Sequence, residues 1–128
     1  MEKAIELYPG DEEILTASGC AASLNAMEDA LYVIGGKWKL KVIIALREGG
    51  VRRFNELQRS IPGISAKVLS NELKDLELNG FLKRNVYAQT PVVVEYELTE
   101  YSATLNPVLK ELVGWGKMHR EKIREMRS

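Results

Sequence analysis

Lys67, Asn71 and Lys74 stand four and three residues apart, the spacing that brings side chains onto one face of an α-helix, and Ser65 and Ser70 lie beside them. Two ammonium groups, a carboxamide and two hydroxyls offer recognition by hydrogen bonds and charge rather than bond-making chemistry. A carboxamide matches the two-point edge that adenine shows in the major groove, and lysine reaches guanine O6 or N7, or a phosphate. A second set flanks that helix: Arg52, Arg53 and Arg59 before it, Lys83 and Arg84 after it. The planar arginine fork suits bidentate phosphate contact, so these five are candidates for backbone rather than base. A solvated helix face has the same composition. Double-stranded DNA binding and a protein-interaction module that merely solvates this face therefore both fit the pattern.

Catalytic chemistry lacks its parts. His119 is the only histidine and Cys20 the only cysteine, too few for a Cys/His zinc site within one chain. Ser65, Ser70 and Glu72 have no histidine or lysine placed by a recognisable nucleophile-and-base motif. Gly35-Gly36-Lys37 is not part of a longer glycine-rich loop ending in Lys-Ser or Lys-Thr, so nucleotide phosphates have no cradle there. Neither an enzyme nor a cofactor or metal site is expected.

The bulk properties agree with a small globular protein. The 128 residues, 45% hydrophobic and 28% charged, suffice for one domain with a core. No stretch approaches the roughly 18 apolar residues of a membrane span, and the acidic start lacks the basic, then apolar, pattern of a signal peptide. A cytoplasmic protein without a membrane partner is the expectation. The net charge of zero conceals an asymmetry: residues 1–30 hold one basic residue, Lys3, against seven acidic ones. Of 18 charges of each sign, this leaves 17 basic and 11 acidic residues beyond position 30, a surplus of 6 positive charges compatible with phosphate binding. The overall pI near 6.6 argues against a non-specific nucleic-acid coat.

The elements that must position these groups follow from periodicity. Residues 1–20 read as an acidic, poorly anchored leader and 21–128 as the folded domain. Leu24, Met27, Leu31 and Ile34 predict a helix over 22–34, ended by Gly35-Gly36. A second helix is expected over 37–47, with Trp38, Val42, Ala45 and Leu46 on one side, and a third over 54–61 with Phe54, Leu57 and Ile61 inward. Pro62-Gly63 stops the third, and Ser65 caps a fourth over 66–79 whose apolar stripe is Leu69, Leu73 and Leu76. After Gly80, strands over 81–87 and 92–98 enclose Ala88-Gln89-Thr90-Pro91, with Val94, Tyr96 and Leu98 on the covered side and Glu95 and Glu97 on the wet one. The tip has no cation to insert into a minor groove. A last helical stripe comprises Leu105, Leu109, Leu112, Trp115 and Ile123; Pro107 either opens that helix after Asn106 or bends it. The fold class is mainly α with a small β-hairpin, a helix-turn-helix with a wing.

The chain resembles the HxlR-type family of bacterial winged helix-turn-helix transcriptional regulators. The resemblance lies in Ile34-Gly35-Gly36-Lys37-Trp38, Arg53-Phe54-Asn55-Glu56-Leu57, Ile61-Pro62-Gly63-Ile64-Ser65 with Lys67-Val68-Leu69, and Leu73-Lys74-Asp75-Leu76-Glu77 with Gly80. It continues through Thr90-Pro91, Val94-Glu95-Tyr96, Leu98-Thr99, Pro107-Val108-Leu109 and Trp115-Gly116, so that it spans about 34–116 in uninterrupted order. It implies a homodimeric repressor or activator that reads a palindromic promoter site. The first and last helices would then form the dimer interface through Leu24, Met27, Leu31, Leu109, Leu112 and Trp115, although the same six also suit a monomer core. Many members carry a cysteine, often followed by proline, about ten residues before the position of Ile34. Here that place reads Leu24-Asn25, and Cys20 lies a helical turn earlier with no lysine or arginine beside it. A reactive thiol needs an electropositive setting, so the residues favour a bystander over a redox sensor. Glu100-Tyr101-Ser102 also departs from the family, where glycine is frequent after the Leu-Thr pair. Whether a small molecule or a redox signal acts as effector is left open by the sequence.

Overall fold

A computed structural model describes residues 17–128. Of the expected leader, residues 1–16 lie outside the described residues, and 17–20 belong to the first helix, α1 (Ala17–Ile34). Gly35 closes α1 with its N–H on the Leu31 carbonyl at 2.7 Å, and Gly36 follows at φ +84°, a left-handed turn that a β-carbon would strain. This turn delays α2 to Lys39–Gly49, two residues beyond the expected start. Val42, Ile43 and Leu46 of α2 are buried, with Trp38 and Ala45 half-buried beside them.

Arg52–Arg53 forms a short strand, β1, that the sequence did not reveal. It pairs antiparallel with β3 (Val93–Leu98), which pairs in turn with β2 (Leu82–Tyr87), so the expected two-stranded hairpin is a three-stranded sheet in the order β1-β3-β2. Two residues are too short to show alternation, and the partner that makes them a strand is distant in sequence. Between β1 and β2 lie α3 (Phe54–Ser60) and α4 (Ala66–Leu78). Glu56 Oε1 accepts the Arg53 N–H at 2.9 Å at the start of α3, satisfying a donor that a helix N-terminus leaves free. Buried Ile61 and Ile64 bracket the turn between the helices, and Ser65 Oγ accepts the Val68 N–H at 3.1 Å as the expected cap of α4.

The core lies where α2, α3 and α4 meet. Leu57, Leu69 and Leu76 are fully enclosed, Leu73 nearly so, and Phe81, Leu82 and Leu105 close the cluster. Each buried leucine contributes about 1.5–3 kcal/mol of transfer free energy, enough to fix which side of α4 faces inward. In β3, Tyr96 and Leu98 pack on this core as expected, but Val93 on the other strand face is buried as well. That opposite face is not simply wet, because Asn85 Nδ2 donates to Glu97 Oε1 at 2.9 Å and Lys83 Nζ lies 3.5 Å from the same oxygen.

A 3-10 turn, Glu100–Leu105, leads into the last helix, α5 (Asn106–Arg127), with Pro107 in its first turn. Proline opens α5 rather than bending it, since its missing N–H is one that no helical carbonyl would have accepted. The 22 residues of α5 include none that is fully buried.

Candidate nucleic-acid interface

With Leu69, Leu73 and Leu76 turned inward, Ser65, Lys67, Asn71 and Lys74 are exposed along the outer face of α4, and Ser70 is half-buried at its margin. Among the described residues, neither Lys67 nor Lys74 has a carboxylate within ion-pair distance. The spacing in sequence thus becomes one continuous polar face with two uncompensated cations.

A contact invisible in the sequence ties α4 to α2 beside that face. Lys39 Nζ, at the start of α2, lies 3.3 Å from Glu72 Oε2 and 3.7 Å from Asp75 Oδ2 on α4. The Lys39 and Glu72 side chains are only 15% and 19% exposed, so solvent screens this pair less than a surface pair. Glu72 Oε2 has no aligned hydrogen bond, which makes the contact an ion pair held by charge. A cation at the N-terminus of α2 opposes the helix dipole, and the two carboxylates of α4 offset that cost.

The flanking cations separate into different settings. Arg52 is half-buried: its guanidinium lies against Gly49, where a β-carbon would stand, and 3.6 Å from Glu56 Oε2. Arg53 and Arg59 are exposed and, with Asn55 and Glu56, rim a shallow depression beside α3. The Arg53 N–H, and then the guanidinium groups of Arg52, Arg53 and Arg59, hold the Glu56 carboxyl below the usual carboxylate range against a partly opposing desolvation. In β2, Lys83 sits opposite Glu97 while Arg84 sits opposite Tyr96, so the two neighbours point to opposite sides of the sheet. Arg84 joins Ser70, Leu73, Lys74, Glu77 and Tyr96 in lining a cleft of about 290 Å³ between α4 and the hairpin. The hairpin tip, Gln89-Thr90, is exposed and carries no cation, and its Thr90-Pro91 peptide is cis.

The remaining candidates lie on the two terminal helices. Leu24, Met27 and Leu31 of α1 and Leu112 and Trp115 of α5 are exposed, Trp115 at 60%, whereas Leu109 is half-buried against the core. Pro107, Val108, Leu112 and Trp115 line an open apolar groove on α5, and Trp115 stacks on His119 at 4.9 Å. Cys20 is exposed on α1. Among the described residues, no three His, Cys, Asp or Glu side chains are grouped to hold a metal ion, and no helix is long and apolar enough to cross a membrane.

Residues 33–124 match the HxlR-like helix-turn-helix family. The chain is 50% identical over 86 residues to the HTH-type transcriptional regulator BH0655 of Halalkalibacterium halodurans, covering 67% of this chain and 76% of that protein. It is 37% identical over its whole length to the HTH-type transcriptional regulator YybR of Bacillus subtilis, 93% of which is covered. Among solved structures, the redox regulator HypR in its reduced form superposes with a TM-score of 0.68 at 39% identity, over 78% of this chain and 98% of that one.

Proposed function

The chain belongs to the HxlR-like helix-turn-helix family of winged-helix transcriptional regulators, which are not enzymes, and we propose that it acts as a homodimer on a two-fold symmetric DNA site. The observation that carries this reading is the outer face of α4, where Lys67, Asn71 and Lys74 are exposed while three leucines anchor the opposite side. In this reading α4 enters the major groove. Ser65, Lys67, Ser70, Asn71 and Lys74 meet base edges, and Arg52, Arg53, Arg59, Lys83 and Arg84 meet phosphates. Arg53, Arg59 and Arg84 are the stronger phosphate ligands of the five, because Arg52 and Lys83 already have a carboxylate within ion-pair distance. The hairpin serves as a wing against the backbone. Residues 21–128 act as the DNA-binding and dimerising unit, with α1 and α5 of two copies burying the apolar residues that each chain leaves exposed.

A DNA-binding titration of the intact chain tests this function. Wild type is expected to bind duplex more tightly than a neutral control protein. Lys67→Gln with Lys74→Gln should weaken that binding, and Asn71→Ala should relax preference at one base position in each half-site at a loss of about 1–3 kcal/mol per half-site. Equal binding by wild type and the lysine variant would leave α4 as a solvated face and favour a protein-interaction module.

A further inference from the structure

Three lysines fall within five positions where α2 begins, and the structure gives them different partners. Lys39 turns to Glu72 and Asp75. Lys37 and Lys41 both converge on Trp38, their ammonium nitrogens 4.8 Å and 4.9 Å from the indole centroid. Both are exposed, and among the described residues neither has a carboxylate within ion-pair distance. An aromatic face attracts an ammonium through its quadrupole without neutralising it. Two full positive charges are therefore held in place on one ring.

The position of the ring gives those charges a direction. Trp38 Cη2 lies 3.8 Å from where a β-carbon on Gly63 would stand, so the indole abuts the turn that feeds α4. Gly63 takes φ +83°, a conformation suited to glycine, and the ring packs against it at ordinary contact distance. Two residues later Ser65 caps α4 and Lys67 stands in its first turn. A helix that enters a major groove is flanked by the phosphates of both strands, and elements beside its N-terminus contact that backbone.

We propose that Lys37 and Lys41, ordered on Trp38, form a phosphate clamp that grips the DNA backbone beside the first turn of α4. The inference rests on the reading that α4 enters the groove, and it assigns backbone contacts to the first turn of α2 and the turn before it, in addition to α3 and the wing. A free lysine loses much rotamer freedom when it binds a phosphate. Contact with the indole removes part of that freedom before DNA arrives, so less remains to be lost on binding.

The test is the salt dependence of duplex binding by the full chain and by a Lys37→Gln/Lys41→Gln variant. Both lysines are exposed and glutamine keeps the first two methylenes and a polar end, so the variant is expected to fold. Each phosphate contact contributes about 0.9 to the slope of log affinity against log salt, so loss of two per chain, four in the dimer, should make the slope shallower by about 3.6 with base preference unchanged. A Lys110→Gln/Lys122→Gln variant on α5 removes the same charge elsewhere and should keep the wild-type slope. Trp38→Leu should weaken binding at every salt while keeping the wild-type slope, because the charges remain but their seat is gone. Wild-type binding with an unchanged slope in the Lys37/Lys41 variant overturns the clamp alone. A wild-type chain that binds no duplex overturns the groove reading and the clamp together.

Discussion

Glu97 shows how a single side chain alters the weight of its neighbours. The Asn85 amide bond, and then Lys83, hold its carboxyl below the usual range, with desolvation opposing. Lys83 is thereby partly compensated before any DNA phosphate arrives, whereas Arg84, on the other side of the sheet, faces the cleft beside α4. Because the folded value lies below the unfolded one, the stabilisation from Glu97 is fully present above about pH 4.3, the unfolded value, and fades as pH falls through the lowered folded value. Titration followed by side-chain NMR is expected to place Glu97 below an exposed glutamate. Replacing Asn85 with alanine should return it most of the way, and a Glu97 that titrates at the ordinary value in wild type would contradict the assignment.

At the scale of elements, α4 is the part that must be held in register, and two devices hold it. The stripe Leu69, Leu73 and Leu76 sets its inward face, and the Lys39 pair with Glu72 and Asp75 ties it to α2. Lys39→Met is expected to cost about 1–2 kcal/mol of unfolding free energy in a denaturant titration, less than the roughly 3–5 kcal/mol of a fully buried pair, because some solvent reaches these groups. In a double-mutant cycle with Glu72→Gln the two losses should not add, and strict additivity would mean that the pair is not coupled. The stripe and the Ser65 cap were legible in the sequence because both are local: a three-and-four spacing and a hydroxyl three residues before its N–H. Lys39 with Glu72 was not, since nothing near Lys39 in the chain names an acid on another helix. Strand β1 was hidden for the same reason, as Arg52 and Arg53 become a strand only through Tyr96 and Glu95. The start of α2 was misplaced because the left-handed Gly36 extends the turn up to Trp38, which periodicity alone did not show.

At the scale of the whole molecule, the exposed stripes of α1 and α5 stand out. Leu31 is 63% exposed and Trp115 60%, within an apolar series that runs along both helices. Periodicity identified these faces but not what covers them, because the spacing of a core stripe and of an interface stripe is the same. With a second copy as the cover, sedimentation of wild type should give twice the chain's 14.4 kDa, and Leu31→Glu should shift the equilibrium toward monomer by about 2 kcal/mol or more. A dimer of unchanged strength would move the interface elsewhere. In the proposed dimer two α4 helices would stand about a two-fold axis, and the site they read would repeat with inverted symmetry. Selection of bound duplexes from a random pool reads out that symmetry. An enriched inverted repeat with half-sites one helical turn apart or a multiple of it is expected; an enriched site without two-fold symmetry, or no enrichment at all, would rule out a two-fold dimer on DNA.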